Sequence, residues 1–450
     1  MVRFGGLATG QDTQSIVDAM LEVEKIPIIR LENDIVEEEE KYAAWSDLDT
    51  KVSDLNTKIN KLTSYLTWRQ NDVESSKESV VTASANSDAA QTSYAVSVTQ
   101  LAQSHMVGST SQASTSADLG LSGTFQINGS DAITVATTDS LEEIRDLINK
   151  ASNMTDNVTA SIINTTLVLS RDTTGSTEIT MDDDSSNILD SLGIWDSVGA
   201  DWANTLQDDQ DLAASINGVA VSSGSNTGIT SVLKGVTLNF KGEGSSTLDV
   251  SRDTETIKSA FEEFIDSYNT LMELAEDQTK VSLSGSGDRI DDLGVLQSEA
   301  SVASLRFRSR VLTTANFVDP AISTGFNNLQ EIGIWTDGDE NRLSLFSSSR
   351  LEDALENNFD EVEDMIRDFD DGVLRLFGDY IDEVQSPVDG TIARRQTSIR
   401  NLINDKQDRI DDLNILILDK ETELFQHFAN MESSVASIRS QGQFVSGSVG

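Results

Sequence analysis

Residues 45–66 have the sequence WSDLDTKVSDLNTKINKLTSYL, in which an apolar side chain returns at every third or fourth position. The alternation of three and four is the heptad spacing of a coiled-coil seam. The seam positions are Trp45, Leu48, Val52, Leu55, Ile59, Leu62 and Leu66. A helix with a single apolar stripe is not stable alone, so the pattern predicts a long helix over 28–69 that needs a partner.

A second apolar seam lies near the other end of the chain, within residues 392–440. Its positions are Ile410, Leu413, Ile417, Leu424, Phe428, Met431, Val435 and Ile438. Ile399 and Ile403 extend it backward, and Lys420 fills one of its slots. The simplest arrangement pairs the two seams in one hairpin-like coiled coil with both chain ends at its foot. The alternative places each seam in a separate coil with other copies of itself.

A shorter helix is predicted over residues 13–26, ahead of the long one. Asp12 or Thr13 can cap it, because their side-chain oxygens accept from the free amides of the first turn. Pro27 is then expected to interrupt the helix, since proline has no amide proton and disfavours the helical conformation of the preceding residue. One face of this segment has no partner visible in the chain, so we expect it to take part in assembly. The predicted assembly residues are Leu7, Ile16, Met20 and Val23.

The middle of the chain has a different pattern, typical of β-structure. The alternating run at 94–98 indicates a strand. Residues 121–170 follow the order strand, helix, strand, and Ser140 is placed to cap the helix. Asn-Gly pairs at 128–129 and 217–218 are typical of hairpin turns.

Helical ends around a β-rich middle predict an α+β multidomain protein, in which the terminal helices form a coiled-coil leg and small β-rich modules form an inserted head. The predicted segments are an N-terminal helical leg at 1–75, a β-rich head module made of 76–107 with 211–257, an inserted β/α head module at 108–210, a leg region of helices and a hairpin at 258–390, and a C-terminal heptad helix with its tail at 391–450.

The charge and composition exclude several classes of function. The chain has 32 Lys and Arg against 76 Asp and Glu, a net charge of −44. Such a charge repels phosphate, so neither nucleic acid nor an anionic membrane surface is an expected partner. The sequence contains no run of 18 apolar residues, so no membrane span is expected. No conventional signal peptide is expected at the start.

No motif predicts catalysis, a cofactor or a metal ion. The chain has no cysteine and only two histidines, His105 and His427, so thiolate chemistry is excluded. Asp337, Asp339 and Asn341 match the first ligand positions of a calcium loop. However, Arg342 replaces the required glycine and Ser348 the required acid. A plain turn between two strands is the better interpretation, and we expect the protein not to be an enzyme.

The opening residues 4–17, FGGLATGQDTQSIV, resemble the N-terminal signature of the flagellar hook-associated protein 2 family, the filament caps. Pro27 stands where that family has a proline before its long helix, and Gln11 replaces a leucine usual in the family. Residues 93–102 resemble the strand that closes the family's N-terminal region. Three further stretches resemble family regions: the flagellin-type insert at 121–170, and the C-terminal region at 212–313 and 329–440.

The resemblance implies a structural protein at the tip of the bacterial flagellar filament. It implies a small ring of copies that promotes the folding and insertion of flagellin as the filament grows. The implied partners are other copies of the chain, flagellin, the hook–filament junction protein, and the flagellar type III export apparatus with its chaperone. The implied location is secreted and extracellular, at the filament tip.

Three alternatives remain open at the level of the sequence. A flagellin-like or hook–filament junction protein would share helical ends around a β-rich middle. A surface adhesin is a second alternative, and an adhesive role could also be added to a cap. An enzyme is the third, although two isolated histidines and no cysteine give it little support.

Overall fold

The computed structural model describes residues 10, 12–183, 186–283, 290–317, 325–336 and 341–447. The chain divides into two compact units. The first unit consists of Met1–Ser64 with Thr254–Gly450, and the second of Tyr65–Asp253. Half of the opening signature, including Leu7, lies outside the described residues, as do Asp337 and Asp339 of the calcium-loop candidate.

The helices, in chain order, are α1 Thr13–Thr63, α2 Leu141–Lys150, α3 Ile188–Ser191, α4 Thr254–Thr279, α5 Ala300–Thr313, α6 Ser348–Asn357, α7 Phe359–Arg367, α8 Val373–Gln385 and α9 Thr391–Gly447. In the described parts of the chain, none of them is long and apolar enough to cross a membrane.

The strands are β1 Asn71–Ser75, β2 Val81–Ala85, β3 Ser93–Gln100, β4 Met106–Gly108, β5 Gly123–Ile127, β6 Ile133–Val135, β7 Val158–Ile163, β8 Thr166–Arg171, β9 Met181–Asp182, β10 Trp195–Asp196, β11 Asp201–Trp202, β12 Thr205–Gln207, β13 Leu212–Ile216, β14 Val219–Ser223, β15 Ile229–Leu233, β16 Val236–Phe240, β17 Gly244–Arg252, β18 Val281–Leu283, β19 Ile290–Leu293, β20 Ile334–Thr336 and β21 Leu343–Leu345. The predicted α+β class, with helical ends and a β-rich middle, is confirmed.

The N-terminal helix α1 is a single helix, so the prediction of two helices broken at Pro27 is wrong. A proline inside a helix removes one hydrogen bond and costs about 3 kcal/mol. Leu21 and Ile28, on either side of it, are both buried in a cluster shared with α9, and that burial offsets the cost. Asp12 caps the helix by accepting from the amides of Gln14 and Ser15.

The C-terminal end of α1 also differs from the prediction. The helix ends at Thr63 rather than at residue 69, and Leu66 is 67% exposed. The strand at 71–75 pairs with β17, so these residues belong to the β-rich unit rather than to the helical leg in which the sequence places them.

The helical unit has its core around the second half of α1. Six of the seven predicted seam residues are at most 1% exposed: Trp45, Leu48, Val52, Leu55, Ile59 and Leu62. Lys58 and Lys61 each donate to Glu263 of α4 at 3.0 Å, and Asn56 donates to Asp382 of α8 at 2.7 Å. This half of α1 therefore packs on α4 and α8, and not on the C-terminal seam that the sequence offers as its partner.

Three aromatic rings occupy the centre of this core. Phe377 of α8 lies 6.2 Å from both Phe264 and Tyr268 of α4, edge to face in each case. Burial raises the pKa of Tyr268 to about 12. The Tyr268 hydroxyl donates to the side chain of Asn341, whose amide donates to the carbonyl of Arg306 at 3.1 Å. Asn341, a residue of the calcium-loop candidate, therefore has a packing role.

The β-rich unit contains two modules. In the first, the five-stranded antiparallel sheet has the order β1-β17-β3-β13-β14, and β15-β16-β2 form a second sheet. One cluster joins buried side chains of both sheets, among them Val96, Leu212 and Phe240. The predicted Asn217–Gly218 turn joins β13 to β14, with φ angles of 49° and 83° that suit this residue pair.

The second module has the sheet order β12-β4-β8-β7, with a smaller sheet β6-β5-β9 and the helix α2. Leu141, Ile144 and Ile148 of α2 are buried in its core. As predicted, Ser140 caps this helix, and it exchanges hydrogen bonds with Glu143 in a capping box. Hydrogen bonds from Ser140 lower the pKa of the Glu143 carboxyl.

Candidate assembly surfaces

The first half of α1 and most of α9 form an antiparallel two-helix coil, which we call the terminal coil. Lys420 of α9 lies 2.6 Å from Glu24, and Lys406 lies 3.4 Å from Glu38. Residue numbers fall along α9 as they rise along α1, so the two helices run in opposite directions. The intramolecular pairing expected from the two seams therefore exists, but its apolar core uses the part of α1 before Trp45.

The core of the terminal coil contains Val17, Leu21 and Ile28 from α1 and Ile410 and Ile417 from α9. Three more predicted seam residues pack against it and are partly buried: Leu413, Leu424 and Phe428. The last part of the predicted seam differs. Val435 is half-buried, Met431 is 38% exposed and Ile438 is 67% exposed.

The predicted assembly face of α1 lies away from this core. Met20 and Val23 are 47% and 65% exposed, and Ile16 is half-buried. Val17 and Leu21 do contact α9, but the sequence prediction omits both because it ends the helix at Pro27. The seven-residue repeat of Trp45–Leu62, continued backward, passes through Leu31 and Glu24 to Val17, so this signal would have found Val17. Leu21 and Ile28 lie one position beyond the repeat, and it does not predict them.

Further apolar side chains lie on the outside of the terminal coil. They are Ile26, Ile29 and Val36 on α1 and Leu402, Ile415, Leu416 and Leu418 on α9, each at least 42% exposed. Single exposed apolar residues are common, but many on one element are typical of a surface that binds another protein. The outer face of the terminal coil is therefore the strongest candidate for an assembly surface among the described residues.

The two histidines have separate environments. His105 is buried, and its Nδ1 accepts from the amide of Ile179 at 3.1 Å while its ring packs edge-on against Trp202. His427 is exposed on α9, 3.5 Å from Glu423. Within the described ranges no group of three or more acidic or histidine side chains could hold a metal ion.

We expect His427→Gln to be silent and His105→Gln to lower the free energy of unfolding of the β-rich unit by about 1–3 kcal/mol, since a buried amide loses its acceptor. Neither change should prevent assembly. Urea denaturation and light scattering on both variants and their combination measure the two effects. Loss of assembly by a variant that remains folded would reveal a functional site at one of the histidines.

Two family descriptions match the chain. "Flagellar hook-associated protein 2 N-terminus" matches residues 9–105, and "Flagellar hook-associated protein 2 C-terminus" matches residues 209–440, more than half of the chain. The A-type flagellar hook-associated protein 2 of Pseudomonas aeruginosa is 26% identical over 467 aligned positions, covering 96% of this chain and 94% of that protein. The B-type protein of Pseudomonas aeruginosa is 26% identical, covering 83% and 81%.

The fold is similar to a solved structure. The crystal structure of the flagellar cap protein FliD D1-D2-D3 domains from Escherichia coli superposes with a TM-score of 0.55. The identity is 23%, and the match covers 79% of this chain and 99% of that one. At this identity the likeness establishes a shared fold.

Proposed function

Since the chain belongs to the flagellar hook-associated protein 2 family, we propose that it is a structural cap at the tip of the bacterial flagellar filament. One observation carries the proposal: the family matches extend over both ends of the chain, 9–105 and 209–440. These regions include α1 and α4–α9, the helices of the unit that carries the terminal coil. The alternatives of a flagellin-like protein or a hook–filament junction protein are not favoured, because both family matches are to flagellar hook-associated protein 2.

The outer apolar residues of the terminal coil support a ring in which copies of the chain contact one another and flagellin. Burial of such residues stabilises a contact by roughly 1.5–3 kcal/mol for each large side chain. In this mechanism the ring holds incoming flagellin at the filament tip, where flagellin folds and inserts. The charge of −44 keeps free subunits apart until they assemble.

The remaining partners and the location follow from the same proposal. The chain leaves the cell through the flagellar type III export apparatus, accompanied before export by a chaperone, and meets the hook–filament junction protein before filament growth begins. Its place is then extracellular, at the filament tip. The family is one of structural flagellar proteins, and we propose no catalytic step and no cofactor. An adhesive role of the β-rich unit stays a prediction.

Electron microscopy of filament tips from a cap-deletion strain tests the function directly. With this protein added back, filaments should elongate and their tips should carry added density. Filaments that grow equally well without it, or that carry the protein along their length, would contradict a cap.

Self-association should depend on salt. At about 10 mM salt the repulsion between subunits of charge −44 reaches about 30 Å, and at about 150 mM it reaches about 8 Å. We therefore expect light scattering to find monomers at low salt and oligomers at moderate salt. A protein that stays monomeric at all concentrations and salts would count against a ring.

A further inference from the structure

The seam of the terminal coil contains two charged layers among apolar ones. Glu24 and Glu38 occupy heptad positions of α1, in line with Leu21, Ile28 and Leu31. Both carboxylates face lysines across the coil: Glu24 faces Lys420, and Glu38 faces Lys406. On α9, Lys406 and Lys420 occupy heptad positions in line with Ile410, Leu413 and Ile417. The lysine that interrupts the C-terminal seam therefore has a matching acid on the opposite helix.

The charged layer formed by Glu38 and Lys406 is the more buried of the two. The side chains of Glu38 and Lys406 are 12% and 17% exposed, whereas those of Glu24 and Lys420 are 43% and 45% exposed. Glu38 also accepts from Lys41 of its own helix at 3.2 Å, and Lys406 donates to the carbonyl of Asp34 at 3.3 Å. A charge held this way in a seam is strongly unfavourable once its partner is removed.

The two layers are symmetrically placed. The acids are 14 residues apart on α1 and the lysines are 14 residues apart on α9, two heptads in each case. Leu31 lies midway between the acids and Leu413 midway between the lysines, and both pack in the coil core. If two copies of α1 pair in antiparallel directions with Leu31 at the centre of the contact, Glu24 of each copy lies against Glu38 of the other. A pairing of two copies of α9 about Leu413 places Lys406 against Lys420.

We propose that these two layers select the partner of the terminal coil: they accept a helix with the lysine pattern of α9 and reject a second α1. Apolar heptads alone do not make this choice, because an apolar seam fits any other apolar seam of the same spacing. The alternative of separate homomeric coils is disfavoured by two like-charge contacts in the α1 pairing and two more in the α9 pairing. The device matters wherever several copies lie close together, because each copy then offers both helices to its neighbours. The inference rests on the coil itself and does not depend on the cap function.

The attraction between the acids of α1 and the lysines of α9 can be tested by disulfide formation. The chain has no cysteine of its own, so only introduced cysteines can react. In the register of the two ion pairs, Ile28 lies opposite Ile417. Ile28→Cys with Ile417→Cys in the full chain should therefore form an intrachain disulfide. Adding Glu24→Lys with Glu38→Lys should lower the yield about tenfold, and adding Lys406→Glu with Lys420→Glu to that chain should restore it to within about twofold.

The matched control is Glu22→Lys with Glu40→Lys, which changes the net charge equally on exposed positions of the same helix. Its yield should equal that of the parent chain. An undiminished yield in the seam variant, or a loss that the reciprocal lysine-to-glutamate changes do not restore, would overturn the proposal.

The rejection of a second α1 helix is tested in a chain that carries Leu31→Cys as its only cysteine. With the natural acids, little interchain disulfide should form. With Glu24→Leu and Glu38→Leu added, the like-charge contacts disappear, and the interchain disulfide should rise about tenfold. Equal dimer yields in the two backgrounds would show that the acids do not exclude the α1 pairing.

Discussion

Replacing Phe377 with alanine is expected to lower the free energy of unfolding of the helical unit by about 3–5 kcal/mol. The side chain has no exposed surface and contacts the rings of Phe264 and Tyr268, each at 6.2 Å. Its removal forfeits the transfer free energy of a large apolar group and leaves a cavity between α4 and α8. Urea denaturation followed through the fluorescence of Trp45, which lies in the same unit, measures the loss.

The control is Phe369→Ala, the same chemical change at a side chain that is 80% exposed. It should change the free energy of unfolding by no more than about 0.5 kcal/mol. If Phe377→Ala costs less than about 1 kcal/mol, the three rings are not the centre of the core. The β-rich unit should keep its own transition in both variants, because the two units have separate cores.

The sequence predicted the seam of α1 well because burial and helical period coincide there. Every residue from Trp45 to Leu62 in that pattern is buried. The identity of the partner could not be predicted in the same way. An apolar stripe indicates that another element must cover it, but it does not indicate which element. Here α4 and α8 cover it, through a core that also depends on Phe264 and Phe377.

The sequence was a poorer guide near Pro27, where a local rule was outweighed by tertiary packing. Burial of Leu21 and Ile28 against α9 holds both sides of the proline in one helix. For the same reason the predicted assembly face omits Val17, which is buried against α9, and includes Val23, which is exposed. The environment of His105 could not be predicted either, since Ile179 reaches it from 74 residues away.

Replacing Met20 and Val23 together with aspartate is expected to abolish filament growth while leaving the monomer intact. Both side chains lie on the exposed side of α1, so a charge there disturbs neither Val17 nor Leu21 in the coil core. In an assembled ring the same side chains would be buried against flagellin or a neighbouring copy. Each would then lose roughly 1.5–3 kcal/mol of apolar burial and bring an unpaired charge into the contact. Thermal melting of the purified variant and swimming of a complemented cap-deletion strain measure the two effects.

Two comparisons make the result specific. Glu22→Ala with Lys25→Ala alters exposed residues of the same turns without adding a charge to an apolar contact, and it should swim normally. Val17→Asp with Leu21→Asp instead places charges in the core of the terminal coil, so it should separate α1 from α9 and lower the melting temperature. Deleting residues 1–26 does not distinguish the two faces, because it removes both pairs at once. If the Met20 and Val23 variant swims, this face is not an assembly surface. If it melts early, Met20 and Val23 stabilise the monomer, and the assembly role passes to the other exposed apolar residues of the coil.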